Sequence, residues 1–561
     1  MCDKVPSHGG LYDPTNSQCP KSIRQCILEI NSNGVTATGG TIVFREDQAV
    51  RVRTVRVKAA LPAINAPMTI DGGELGFTID GAELTPANGT SCKDVDIQCV
   101  WASAKQGEVY CQDGLTIGAQ NVTVKNMIIT NFARDGISIQ GGSLEDASHI
   151  KVLGGSVVDN CRRGINIAAF ARSTTIKGNS KTAPIIIAGN GGDGIYSAGP
   201  ATVVENAWVG LTADGKVNGN KNGITFLAAA ADSEVRGAGT NDTIVSGNTL
   251  HGISTYAMRT FIRGVFVGTG VDGISRRANG GVGIYVQGTA GRARVGHSDS
   301  EAVATVVSGN VGSGVKVAGG GFLMVNTRVG VGLDGSTKVS NNGDGVDVLK
   351  SATYAMLGRA SAPKNVVSGN KGDGIKTAAP NVKISNTFVG VAADGITAVG
   401  NGAHGIVGTS SAAGLLVGGS WVSEEDWPPN TAYVWEPAVS TVVSSNGGNG
   451  VASAGPSVQV VGVYIGVGRD GRTRRGNQEH GVYLTPDAKN ARIGFNGPSG
   501  LTVISGNFGS GVNSSASGTG VHSCLIGVDI TGKKASVKFK RKEKKKEKKT
   551  PLVYREPARG H

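Results

Sequence analysis

Two short motifs recur along this chain at the same unequal spacing, and that pairing limits the possible folds more than any other feature. A Ser-Gly-Asn tripeptide, or a near relative of it, ends at Asn190, Asn248, Asn310, Asn370, Asn446 and Asn507. A Val-Gly or Ile-Gly dipeptide ends at Gly210, Gly268, Gly330, Gly390, Gly466 and Gly527. Both series advance by 58, 62, 60, 76 and 61 residues. Markers that shift in step, even across the long interval, belong to a structural repeat rather than to biased composition.

The repeat divides again. A glycine followed by Ile or Val stands at Gly136, Gly164, Gly194, Gly223, Gly252, Gly283, Gly314, Gly345, Gly374, Gly405, Gly450, Gly481 and Gly511. After each glycine the residues alternate apolar, variable, apolar or small, as in GISI, GINI, GVKV and GVYL. This period of two marks a short strand with one buried face. Each unit of about 30 residues holds about three such runs between Gly, Asn and Asp turns. A unit that small has no core of its own, so the units must stack. Propeller blades need about 40–50 residues, and leucine-rich repeats need Leu at fixed offsets, which this chain lacks. The pattern predicts an all-β parallel β-helix of about 13 rungs, rising about 60 Å at ~4.8 Å per rung. Ile and Val after the glycines would line its interior, and the recurrent Asn would form an amide ladder at a turn.

The segments VVSGNVGSGV, NVVSGNKGDGI, TVISGNFGSGV and FVGVAADGITAVGNGAHGI resemble right-handed parallel β-helix repeats of the pectin-lyase-like superfamily. The resemblance covers about residues 120–530. SIRQCILEINSNG, GGTIVF and LPAINAPMTIDGG together are similar to the Cys-Ser-Leu-Arg-Glu-Ala opening of many surface β-helix proteins. Read without that resemblance, Ile23, Cys26, Ile27 and Ile30 form one apolar helical face, with stop signals over residues 31–34. A short capping helix at the open end of the coil is expected. The domain reading is an N-terminal cap and first strands over 1–120, the β-helix over 121–532, and a basic tail over 533–561. The tail holds thirteen Lys or Arg and three Glu, so it carries +10 of the net charge of +13. It has no core-forming pattern and is expected to be disordered. The body is near neutral, which argues against nucleic acid as its partner. No apolar run is long enough to span a membrane.

Seven of the eight cysteines precede residue 162, and four Asn-x-Ser/Thr sequons occur, at Asn88, Asn121, Asn241 and Asn513. Both features suit an extracellular or cell-surface protein, although the opening MCDKVPSHGG shows no signal peptide. Disulfides tying the N-terminal region and buried free thiols both stay open.

Aligned on their glycines, the rungs place Asp135, Arg163, Asp193, Asn222, His251, Val282, Ser313, Asp344, Asp373, His404, Asn449, His480 and Ser510 in one column. A second column, two residues past the glycine, includes Tyr196, Tyr285, Lys316, Asp347, Lys376 and Tyr483. Asp344, Asp347, Asp373 and Lys376 are the catalytic candidates. Close carboxylates raise a pKa or hold a cation such as calcium, and a lysine beside them suits proton abstraction from a uronic acid. The competing reading is a solvated charge ladder. ARDGISI is similar in outline to the Asn-Thr-Asp-Gly element of β-helix polygalacturonases. Their Asp-Asp pair, Gly-His-Gly and Arg-x-Lys are absent at the matching rungs, as is the Asp-Pro-His-Glu element of bacterial alginate epimerases. The interval from Gly405 to Gly450 is 45 residues, and its excess falls in WVSEEDWPPNTAYVWEP. Trp421, Trp427, Tyr433 and Trp435 there stand among acids, the composition that sugar stacking requires. The expected function is a monomeric surface protein that binds polysaccharide or another cell-surface glycan without catalysis. The alternative is a lyase, epimerase or hydrolase of acidic polysaccharide.

Overall fold

A computed structural model of the chain describes residues 2–5, 23–32, 40–44, 53–84, 112–141, 147–180, 182–237, 243–298, 303–419, 441–494 and 501–533. The chain divides into two compact units. One comprises Met1–Val271 with Arg277–Tyr285, the other Asp272–Arg276 with Val286–His561. In each, the backbone coils through three parallel sheets, here called A, B and C. Thr175–Lys177 (A), Ile185–Ala188 (B) and Ile195–Ser197 (C) make one turn of the coil, and Val203–Glu205 returns to A. This is the right-handed parallel β-helix that the repeat predicts, with the handedness that parallel crossovers favour.

Each of the thirteen glycines named above directly precedes a strand of sheet C. The residues after them stack in register. In the first unit Ile137, Ile165, Ile195, Ile224 and Ile253 form one fully buried column. In the second, Val315, Val346, Ile375, Ile406, Val451 and Val482 do the same. Each such side chain contributes about 1.5–3 kcal/mol of burial.

At the N-terminal end, helix α1 (Ile23–Ser32) buries Ile23, Cys26, Ile27 and Ile30, the face expected from the sequence. The amide of Asn31 at its last turn donates to the Ala63 carbonyl at 2.7 Å and accepts from the Asn65 N–H at 2.9 Å. The strand Cys2–Val5 pairs antiparallel with Gly40–Phe44, against the parallel rule elsewhere.

The amide ladder is present and twice as dense as the Ser-Gly-Asn tripeptides alone imply. In the first unit Asn160, Asn190, Asn220, Asn248 and Asn279 donate Nδ2 to Oδ1 down the coil at 2.8–3.1 Å. In the second unit Asn310, Asn341, Asn370, Asn401, Asn446, Asn477 and Asn507 do so at 2.9 Å.

The doubled period has a physical cause. Connections from sheet B to sheet C alternate between a short turn opening with Ser-Gly-Asn and a long loop opening with Val-Gly or Ile-Gly. The long loops fold over the outer face of sheet B. There Phe388, Val442, Tyr464 and Val503 form a second apolar layer with loop residues Val391 and Val467. Successive loops bond to each other, as Ala393 N–H to Gly335 O, Arg469 N–H to Gly395 O and Ile530 N–H to Gly471 O. The two markers touch directly. Ser368 Oγ accepts the Gly390 N–H at 2.9 Å and donates to the Val391 carbonyl at 2.7 Å. Ser246, Ser308 and Ser444 repeat the arrangement. Gly390 has φ +86°, and a Cβ there would sit 2.0 Å from the Ser444 carbonyl oxygen, so glycine is obligatory.

Candidate functional site

The outer face of sheet C carries both columns that the glycine alignment predicts. The column preceding the glycines is a second hydrogen-bond ladder. In the second unit Asp344 Oδ1 accepts the Asp373 N–H, and Asp373 Oδ1 accepts the His404 N–H, both at 2.9 Å. His404 Nδ1 then accepts the Asn449 N–H at 2.8 Å, and Asn449 Oδ1 the His480 N–H at 2.9 Å. His480 Nδ1 accepts the Ser510 N–H at 2.9 Å. The first unit repeats this from Asp113 to Asp135 and from Asp135 to Arg163, then from Asn222 to His251 and from His251 to Val282. Asp, Asn and His share one property here, an acceptor atom two bonds beyond Cβ. That explains why chemically different residues occupy one column.

The next column is in register across each unit. In the first it runs Thr116, Ser138, Asn166, Tyr196, Thr225, Ser254. In the second it runs Lys316, Asp347, Lys376, Val407, Ala452, Tyr483, Asn513. Not every member is exposed as the alternation implies. Ser138, Thr225 and Ser254 are buried, because small side chains sink below larger neighbours such as Asn166 and Tyr196.

The four catalytic candidates do come together in the second unit. Lys316 Nζ lies 3.7 Å from Asp347 Oδ2, and Asp347 pairs in register with Lys376. Burial raises the Asp347 carboxyl above its ordinary range, and the Asp344 charge adds to that against Lys316 and Lys376. Burial likewise raises Asp373, opposed by the His404 N–H bond. Asp344 and Asp373 each commit one oxygen to a backbone N–H of the next rung. A calcium ion would have to compete with those bonds. Among the described residues no group of three or more His, Cys, Asp or Glu gathers as a metal site.

The first unit holds a cluster that the alignment only partly foresaw. Asp135 is 1% exposed, and its carboxyl is raised to about 6 by burial and by Asp113, against Arg162 and Arg163. Asp113 escaped the alignment because Gly114 is followed by Leu rather than Ile or Val. Arg163 stacks 3.7 Å over the Tyr196 ring and donates to Asn166 Oδ1 at 3.0 Å. Two buried oxygens here, Asp135 Oδ2 and Thr225 Oγ1, have no hydrogen-bond partner. Arg162 Nη1 stands 3.7 Å from Asp135 Oδ2.

The Asp-Gly loop residues Asp272, Asp334, Asp394 and Asp470 serve their own turns. Asp334 Oδ1, for example, accepts the Ser336 and Thr337 N–H groups at 3.0 and 2.9 Å. Trp421, Trp427, Tyr433 and Trp435 lie outside the described residues, as does nearly all of the basic tail. Among the cysteines, Cys161 is disulfide-bonded.

No protein-family model matches the chain, and no curated protein matches it. Among solved structures it is similar to the mannuronan C-5 epimerase AlgE4 A-module of Azotobacter vinelandii. That match has 10% identity and a TM-score of 0.35, over 82% of this chain and 89% of the other. The periplasmic alginate epimerase AlgG matches at 9% identity and a TM-score of 0.30, over 87% and 85%. Likenesses this weak carry no argument about activity. Among the described residues no helix is long and apolar enough to cross a membrane.

Proposed function

We propose that this chain is an extracellular or cell-surface glycan-binding β-helix, in which the outer strip of sheet C in each unit binds polysaccharide without breaking its bonds. One observation carries the reading. The strip presents hydroxyl, amide and aromatic groups in register on a rigid sheet, while its Asp and His acceptors are occupied in holding successive rungs together. Tyr196 and Tyr483 supply ring edges and phenol groups. Their neighbours Asn166 and Asn513 supply hydrogen bonds, the mixture that sugar recognition uses. The aromatic segment 421–437 is proposed as a second contact with the same ligand.

Glycan-array screening followed by calorimetry tests this. Tyr196→Ala and Tyr483→Ala should each weaken binding by roughly 1–3 kcal/mol with little change in stability. Binding to no glycan, or unchanged affinity in both variants, refutes the proposal. A second reading, catalysis on an acidic polysaccharide, is favoured by the Asp135 carboxyl near pH 6 beside Arg163 and Arg162. It calls for new reducing ends or ultraviolet-absorbing unsaturated uronates from polyuronates, lost in Asp135→Asn.

A further inference from the structure

His404 and His480 of the second unit, like His251 of the first, hold a ladder position that Asp or Asn fills in other rungs. Each accepts a backbone N–H through Nδ1, from Asn449 at 2.8 Å and from Ser510 at 2.9 Å. An imidazole accepts at Nδ1 only when that atom carries no proton, so both rings are neutral with the hydrogen on Nε2. In His480 that Nε2 lies 3.1 Å from Asn513 Nδ2, and with the hydrogen on Nε2 the amide is assigned in its flipped orientation, oxygen toward the ring. Both rings pack against a glycine of the next rung. A Cβ at Gly448 would fall 2.4 Å from His404 Nδ1, and one at Gly509 2.7 Å from His480 Nδ1. These sites are built around the rings.

We propose that His404 and His480 are a proton switch in the sheet C strip: on acidification they release the Asn449 and Ser510 N–H groups and turn the strip from acidic toward cationic, so that it takes an anionic oligosaccharide in acid and releases it at neutral pH. The ligand half of this rests on the glycan reading above. At neutral pH the named charges of the strip are Asp344, Asp347, Asp373 and Glu479 against Lys316 and Lys376. The charged groups facing His404 are Asp373, with Asp344 and Lys376 beyond it. Around His480 stand Tyr483, its ring centroid 5.9 Å away, and Glu479, whose Oε2 accepts from Asn449 Nδ2 at 2.6 Å. Asp347 and Asp373, both raised by burial, lose charge in the same direction as pH falls.

The chain supplies the control. Asn222 and Asn449 hold the same ladder position and accept the next N–H at 3.1 and 2.9 Å. His404→Asn with His480→Asn therefore keeps the acceptor and removes the proton site. The full chain is titrated with a sulfated hexasaccharide, whose own charge is constant, and with its unsulfated counterpart. The range runs from about pH 7.5 to about pH 5, across the window in which histidines change charge. Hydrogen exchange at Asn449 and Ser510 is followed in parallel, corrected for the intrinsic pH dependence. In the wild type, binding of the sulfated sugar should tighten about fivefold in acid, the scale of two partly exposed charge pairs. Protection at both amides should fall together with it. The double variant should show no loss of protection at either amide and keep only the smaller tightening that Asp347 and Asp373 supply. Equal pH dependence in variant and wild type refutes the switch alone. A protein that binds neither sugar at any pH refutes the glycan reading and, with it, the ligand half of the switch.

Discussion

Asn370 is the clearest place to ask whether the amide ladder holds the coil together. It is fully buried. Its Nδ2 donates to Asn401 Oδ1 at 2.9 Å and to the Val329 carbonyl at 3.1 Å, and its Oδ1 accepts from Asn341 Nδ2 at 2.9 Å. Asn370→Ala removes all three. At about 1 kcal/mol per buried bond the loss is about 3 kcal/mol. The partners are not wholly orphaned, because Asn341 Nδ2 keeps the Val307 carbonyl and Asn401 Oδ1 keeps the Asn370 N–H. Asn370→Asp should cost more at neutral pH than in acid, since only the protonated carboxyl can donate to an acceptor. The readout is the opening free energy of the surrounding rungs, from native-state hydrogen exchange. The neighbouring Asn342 is exposed, and Asn342→Ala should stay within about 0.5 kcal/mol. A loss below about 1 kcal/mol in Asn370→Ala would refute the reasoning and reduce the ladder to space-filling.

Three further outcomes are expected. Asp135→Asn keeps the Oδ1 acceptor for the Arg163 N–H. Because the wild-type carboxyl is raised to about 6, its ionisation destabilises the fold increasingly from about pH 4 to about pH 6. The variant should therefore gain about 3 kcal/mol at pH 7, at 1.36 kcal/mol per unit, and nothing below pH 4, as urea unfolding at several pH values would show. Asp334 is opposite in sign. Burial raises it, but bonds from Thr337 and Ser336 prevail and hold it at about 2. Its contribution is complete above about pH 4 and lost as pH falls toward 2, so exchange in the 330–339 loop should rise there, and should be raised without that pH dependence in Asp334→Asn. Phe388→Ala should cost about 3–5 kcal/mol, measured by urea unfolding, if the loops over sheet B close a true second core.

Much of this was legible in the sequence because a coil repeats each local decision. The glycine before every sheet C strand, the Ile and Val behind it and the apolar face of α1 all follow from period and spacing. The second apolar layer was not legible. Val366 and Phe388 look like ordinary strand residues until the long loops are placed over them. Half of the Asn ladder was also hidden. Asn341, Asn401 and Asn477 lack the Ser-Gly context that marked Asn370, because they stand near the end of long loops rather than at the start of short turns. Position, four residues before the glycine, was the better signal.

The column before the glycines carries a second role that the sequence alone does not show. Asp344 and Asp373 in adjacent rungs read as a reactive pair, since close carboxylates perturb one another. In the coil each gives an oxygen to the next rung, and Asn449 and His480 do the same with other atoms. A shared acceptor geometry, not a shared charge, selects the residue type. What remains free to vary at such a position is the second face of the side chain, a carboxylate Oδ2, an amide Nδ2 or an imidazole Nε2. Function in this strip is therefore to be sought in those second atoms. Asp135 Oδ2 has no hydrogen bond, Asn449 Nδ2 is held by Glu479, and His480 Nε2 meets Asn513. Of the three, the amide never carries a charge, whereas the Asp135 carboxyl is raised to about 6 and an imidazole has a second nitrogen that can donate or accept, so substitutions there should alter ligand response while leaving the ladder intact.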